Sequence, residues 1–172
     1  MLYQILLSAL NFFLRHIDIM IKTNVIRILE RENIPYAVHS YDDRETRGEF
    51  VCRLVGKSPD ETFKTLVTVS NTLEHLVFVI PVNAFLDLKK AAHCAGVKSV
   101  EMIKQKDLFP VTGYVHGGCS PIGMKKSFRT FINDTAILFD TITFSAGKLG
   151  EQVEVNPYDL QNLIGAEFCD LI

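Results

Sequence analysis

Paired cysteines are missing from this chain of 172 residues: Cys52, Cys94, Cys119 and Cys169 stand far apart, with no CxxC spacing. That argues against a zinc site or a dithiol redox motif and makes four reduced thiols in a cytoplasmic protein the simplest reading. There is no excess of positive charge either. Eighteen Lys+Arg against twenty Asp+Glu give a net charge of −2, so a polyanionic partner would have to meet a local basic patch. No GxxxxGK[ST] phosphate loop occurs, and His39, His75, His93 and His116 show neither HExxH nor any paired metal-ligand spacing. No stretch reads as a membrane span: the apolar residues 1–14 are too short a run and are interrupted by Gln4, Ser8 and Asn11. They also lack the basic start and small-residue cleavage site of a secretory signal. Internal repeats, low-complexity linkers and regular strand–helix alternation are absent as well.

What remains is ordinary globular composition, 48% hydrophobic and 22% charged, in a length suited to one domain with a sizeable core. Met20 stands just before a well-formed helix start. Residues 1–19 therefore read as an upstream extension, or else as an added helix docked on a domain spanning 20–172. Thr23 or Asn24 can cap a helix with Val25, Ile28 and Leu29 on one face, ending near Asn33 before Pro35. Residues 36–41 alternate as a strand. Residues 48–55 predict a short helix with Phe50, Val51, Leu54 and Val55 inward and Gly56 as its stop. Ser58, Pro59 and Glu61 carry a helix-start signature of cap, first-position proline and acidic residue three after the cap.

Residues 63–70 and 75–80 read as a hairpin. Asn83 would cap a helix over 83–95 that Gly96 stops. Strand character follows at 97–103, 128–132, 136–139, 142–144 and 152–155. Asn156 and Pro157 open a last helix ending at Gly165, and a hydrophobic tail, 166–172, packs back. About seven strands and several helices without a βαβ rhythm predict a mixed α+β domain.

The densest chemistry lies in Gly113-Tyr-Val-His-Gly-Gly-Cys-Ser-Pro-Ile-Gly-Met-Lys-Lys126. Gly117 and Gly118 could turn consecutive N–H groups towards one point, a concavity suited to an oxyanion or carboxyl oxygen. Ser120 adds a hydroxyl, and Lys125 and Lys126 add charge. Taken alone, the simpler reading is a long hairpin connection whose glycines serve only turn geometry. Lys64, in Phe63-Lys64-Thr65-Leu66-Val67, is either a solvent-face lysine or a cation at a pocket wall. Lys98, Lys104 and Lys106, with Lys125 and Lys126, are candidates for a discontinuous basic surface. Cys119 with His116 three residues away does not establish a nucleophile–base pair, and a small packed side chain is the simpler role for Cys119.

Three ordered motifs, 63–67, 113–126 and Ser145-Ala-Gly-Lys-Leu-Gly150, resemble the YbaK/EbsC family of bacterial aminoacyl-tRNA deacylases, and within it the branch acting on Cys-tRNA(Pro). Segments 88–92, 97–102, 156–160 and 164–172 match too, so the resemblance covers about residues 22–172 and leaves 1–19 outside. It implies a single domain on a mixed, β-barrel-like sheet with surrounding helices. The implied activity is cleavage, by hydrolysis or a lyase-type step, of the ester joining cysteine to the 3′ adenosine of mischarged tRNA. Cys-tRNA(Cys) is an open second substrate.

The resemblance assigns the catalytic roles to Lys64, Gly117 and Ser145. Lys64 would hold the phosphate or ribose end, Gly117 with Gly118 would place N–H groups at the scissile carbonyl, and Ser145 would belong to the pocket. Tyr41, Thr65, Gly118, Ser120 and Gly147 fall to substrate binding. No metal or cofactor is implied. The implied partners are aminoacyl-tRNA and, in a transient complex, prolyl-tRNA synthetase, with no membrane or DNA role and a cytoplasmic location. Segment 42–47 is shorter than the family's, so the pocket aromatic expected there has no match and Arg47 stands near its place. The family is thought to use the substrate's own thiol as nucleophile, in keeping with the lack here of a Ser-His-Asp or Cys-His constellation. A sister deacylase for an alanyl or other small aminoacyl ester would share every motif. A non-catalytic tRNA-end binding module is the alternative of another class.

Overall fold

The computed structural model describes residues 22–45 and 48–172. The readings on residues 1–19, on Met20 as a start and on Arg47 lie outside the described residues. Eight strands and five α-helices are described, in the order α1 (Asn24–Arg31), β1 (Tyr36–Ser40), α2 (Gly48–Leu54), β2 (Phe63–Ser70), β3 (His75–Pro81), α3 (Leu88–Cys94), β4 (Val100–Met102), α4 (Gln105–Thr112), β5 (Arg129–Asn133), β6 (Ile142–Ser145), β7 (Glu151–Val155), α5 (Pro157–Ile164) and β8 (Glu167–Cys169). The strands form a five-stranded sheet, β4-β2-β3-β5-β8, and a three-stranded sheet, β1-β7-β6, rather than a closed ring. A bridge between Thr62 and Thr143 joins the two sheets at one corner.

Strand β3 is central, paired antiparallel with β2 and parallel with β5. Its nearly unbroken apolar run suits a strand covered on both faces. Leu76, Phe78 and Ile80 enter one core with Ala91, Ala92 and Phe131. Val79 enters the other, between the sheets, with Phe63, Ile132, Phe144, Val153 and the buried face of α1. The smaller sheet is amphipathic by alternation: Ile142, Phe144, Val153 and Val155 are buried in this second core. Thr143, Ser145, Gln152 and Glu154 therefore share the opposite face.

Several expectations are met at the level of single caps. Thr23 caps α1, its hydroxyl accepting from Ile26 N–H, and Asn156 caps α5 through Tyr158 and Asp159. Others need correction. The cap of α3 is Asp87, which accepts from the N–H groups of Lys89 and Lys90, and Asn83 instead donates to Asp60. The bonds of a helix start do form around Ser58, with its N–H on Glu61 and its hydroxyl accepting from Asp60 N–H. They close an isolated turn, because Phe63 onwards is captured by β3. Residues 134–138 are a 3₁₀ turn rather than a strand.

In α2 the buried stripe is Val51 and Cys52. Phe50 is 45% and Leu54 59% exposed, against the expectation that both face inward. The helix packs through its first residue, where a methyl on Gly48 would stand 2.8 Å from Val82. That contact turns the 48, 51, 52 side towards the sheet. The loop 113–126 follows a helix, α4, rather than a strand. The tail supplies β8, parallel to β5. This last pairing brings Cys169 beside the end of α3, where it is disulfide-bonded to Cys94, while Cys52 and Cys119 are free. Four reduced thiols were the simpler reading, and a sequence separation of 75 gave no sign of the pair.

The polar face of the small sheet is tied together by Glu154. Its carboxylate accepts from Thr141 Oγ1, faces His39 Nε2 at 2.8 Å and pairs with Lys57 Nζ at 2.7 Å. Burial alone would raise the Glu154 pKa. The bonds from Lys57, Thr141 and His39 outweigh it and hold the carboxyl at about 2. A folded-state pKa below the unfolded value contributes stability above the unfolded pKa and loses it as pH falls through the folded one. Stability should therefore decline from near pH 4.5 down to about 2. Thermal melts of Glu154→Gln are expected to show a flatter acid limb than wild type across that window. Parallel limbs would show that Glu154 carries none of the acid sensitivity.

Candidate active site

A cavity of ≈ 450 Å³ opens where β2, the ends of β6 and β7, α2 and the loop 113–126 converge. That is an ordinary size for a small-ligand site. Of the eight residues read from the sequence as catalytic or substrate-binding, it is lined by Tyr41, Lys64, Thr65, Gly117 and Ser145. Gly118, Ser120 and Gly147 do not line it. The Ser120 hydroxyl is fully buried and accepts from Ile122 N–H within the loop. Gly147 N–H donates to Ser145 Oγ, fixing that hydroxyl and leaving its proton free to donate.

The two glycine loops touch each other. A methyl on Gly118 would lie 3.3 Å from the backbone of Lys148 and Leu149, so any side chain there would press the two loops apart. Tyr114 holds both loops: its hydroxyl donates to Ile122 O at 2.6 Å, and a methyl on Gly147 would lie 3.0 Å from its ring. Gly117 takes φ of +80°, the left-handed region that only glycine enters freely. The expected pair of inward N–H groups is not formed, because Gly118 N–H closes a turn onto Val115 O at 3.0 Å. Gly117 N–H has no acceptor among the described residues, so a single donor remains.

Lys64 is half-buried rather than on an open solvent face. Its ammonium donates to Val82 O at 3.0 Å and lies 5.5 Å from the centroid of the Phe85 ring. Among the described residues no carboxylate pairs with it. Burial lowers its pKa, with the charge of Glu49 acting weakly the other way. Cys119 also reaches the cavity, but burial pushes its thiol up to about 12, against a small opposing effect of the Thr112 hydroxyl. A thiol so placed is protonated at neutral pH and is no nucleophile.

Sequence reasoning missed Gln152. It stands opposite Ser145 across the β6–β7 pair and lines the cavity. Among the described residues, its Oε1 and the Thr65 hydroxyl are buried polar groups without a hydrogen-bond partner, so both are open to a partner that enters the cavity. The signal was the polar parity of Ser145, Gln152 and Glu154. Alternation alone makes such a face look solvated, and only the arrangement of α2 and β2 over it shows that it is covered.

The aminoacyl-tRNA editing domain family matches residues 43–163 of this sequence. The candidate Cys-tRNA(Pro)/Cys-tRNA(Cys) deacylase EbsC of Enterococcus faecalis is 42% identical over 152 residues, covering 87% of this chain and 93% of that protein. The chain belongs to this family. The resemblance to YbaK/EbsC deacylases drawn from the three motifs is thereby borne out, as is the mixed α+β single-domain fold of this editing domain. A solved structure of a candidate trans-editing enzyme for prolyl-tRNA synthetase superposes with a TM-score of 0.74 at 21% identity, covering 86% of this chain and 93% of that one. A second, of a hypothetical protein, gives 0.79 at 20% identity, covering 86% and 97%. At these identities the two structures speak for the fold. Among the described residues, no helix of the editing domain is long and apolar enough to cross a membrane.

Proposed function

We propose that this editing domain is a cytoplasmic trans-editing enzyme that removes cysteine from mischarged tRNA(Pro), with Cys-tRNA(Cys) as a second substrate and prolyl-tRNA synthetase as a transient partner. The name of the EbsC relative supports the substrate class. The observation that carries the reading is the content of one cavity: an ammonium that forms no ion pair among the described residues although Glu49 also lines the wall, and, within the same residues, an unspent N–H and two polar side-chain oxygens without partners, but no activated nucleophile. Such a site can bind and polarise an ester that brings its own attacking group.

In this reading Gly117 N–H donates to the ester carbonyl oxygen and stabilises the charge that develops there. Lys64 holds the ribose or phosphate end, and the Ser145 hydroxyl and Tyr41 bound the reacting carbon. Thr65 Oγ1 and Gln152 Oε1 accept from the α-ammonium of the bound amino acid. The substrate sulfur then attacks its own carbonyl carbon. The new C–S bond closes a four-membered thiolactone of Sγ, Cβ, Cα and the carbonyl carbon, the ester C–O bond breaks, and the thiol proton ends on the ribose oxygen. Water opens the thiolactone to cysteine. Proximity favours closure, but ring strain opposes it, which gives Gly117 and Lys64 their task.

Purified protein should release cysteine from Cys-tRNA(Pro), leave Ala-tRNA(Pro) largely charged and ignore the body of uncharged tRNA. Release from the alanyl species alone would make it a sister deacylase. Binding without release would make it a tRNA-end module.

A further inference from the structure

Next to the cavity lies a second recess of ≈ 550 Å³, lined by Gln105, Lys106, Leu108, Phe109, Val115 and His116. Leu108 and His116 line both, so the two are continuous across those side chains. His116 directly precedes Gly117. The recess therefore begins one residue from the N–H assigned to the ester carbonyl.

Its wall is a Phe109 ring that core packing does not use, 56% exposed. Lys125 Nζ lies 4.7 Å from the ring centroid and is fixed there by bonds to Phe109 O and Pro110 O at the end of α4. Lys106 stands on the same helix at the recess edge. An exposed aromatic ring with one cation held against it and a second at the recess edge is the kind of surface that single-stranded nucleic acid uses, bases on the ring and phosphates near the charge.

We propose that this recess receives the 3′-terminal adenine of the substrate, stacked on Phe109, with Lys106 and Lys125 drawing in the phosphate of the preceding nucleotide and the terminal ribose and its own phosphate left to Lys64. The assignment rests on reading the cavity as the site of the 3′-aminoacyl ester. With the carbonyl at Gly117, the base lies one sugar away, and the recess is the continuation of the cavity past His116. Position 109 is thus a specificity element for the terminal nucleotide and takes no part in the chemistry at the ester.

Cysteinyl minihelices ending in adenosine or in an abasic ribose provide the test, with wild type, Phe109→Ala, Phe109→Leu and Phe109→Tyr. Wild type is expected to lose about 5- to 150-fold in kcat/KM on the abasic substrate, mainly through KM, the span of one base–aromatic stack. Phe109→Ala and Phe109→Leu should lose a similar factor on the adenosine substrate and treat both ends alike, while Phe109→Tyr should keep the discrimination. The leucine variant retains apolar bulk without a stacking face, so it serves if the alanine variant folds poorly. Equal rates of wild type on both ends, or unchanged discrimination in folded Phe109→Leu, would overturn the base site and leave the deacylase reading standing. No release from either substrate by wild type would sink the deacylase reading and this one with it.

Discussion

Lys64→Ala is expected to lower kcat/KM on Cys-tRNA(Pro) by on the order of 10³-fold, as loss of a preorganised charge at a reacting centre does, while the melting temperature moves by no more than a few degrees. The two halves have separate causes. Lys64 is the cation of the cavity that has no carboxylate partner among the described residues, so its charge is available to substrate. Its removal deprives Val82 O of a donor but also relieves the cost of keeping an ammonium half out of water, the cause of its lowered pKa. Those effects oppose each other, and Val82 borders a cavity that water can enter.

The lowered pKa adds a second signature. Activity that depends on the charged form should fade at a lower pH than a surface lysine would allow. Lys64→Arg, charged throughout, should flatten that alkaline limb wherever it retains activity. A folded Lys64→Ala protein that releases cysteine at near wild-type rate would remove Lys64 from the mechanism.

Local chemistry was the legible layer of the fold. Thr23, Asn156 and Gly165 act as cap and stop residues because their bonds are made within a few residues of themselves. Ser58 and Glu61 make the expected bonds too, but strand pairing of the next residues decides what the turn leads into. Helix α4 escaped notice since Pro110 lies inside it and its apolar residues form no clear stripe. Strand β8 escaped since its pairing with β5 is remote in sequence.

For the site, the glycine loops and Lys64 could be picked out by motif. How many N–H groups the loop leaves unspent could not, because Gly118 uses its own on Val115, three residues back. Gln152 and the Phe109 recess depend on which faces the fold covers and which it leaves open. That is set by the packing of α2 and α4 and is invisible to residue spacing.

Exchanging one substrate atom should have the other large effect: seryl-tRNA(Pro) should turn over on the order of 10³-fold more slowly than the cysteinyl species, a hydroxyl at neutral pH being a far poorer nucleophile than a thiol with a thiolate fraction. Binding discriminates poorly between such near-isosteres, so the difference should fall mainly on kcat rather than KM. The protein's own sulfur is the control. Cys119 lines the same cavity, yet burial holds its thiol at about 12, leaving negligible thiolate at neutral pH. Cys119→Ala should therefore keep activity within about threefold of wild type, with a modest loss of stability from the small void left behind. Release of serine and cysteine at equal rates would require water or a protein group as nucleophile. Loss of activity in a folded Cys119→Ala protein would name that group as Cys119. Slow release of serine beside an active Cys119→Ala variant would leave the substrate sulfur as the attacking atom, with Gly117 and Lys64 supplying the stabilisation that a strained four-membered ring demands.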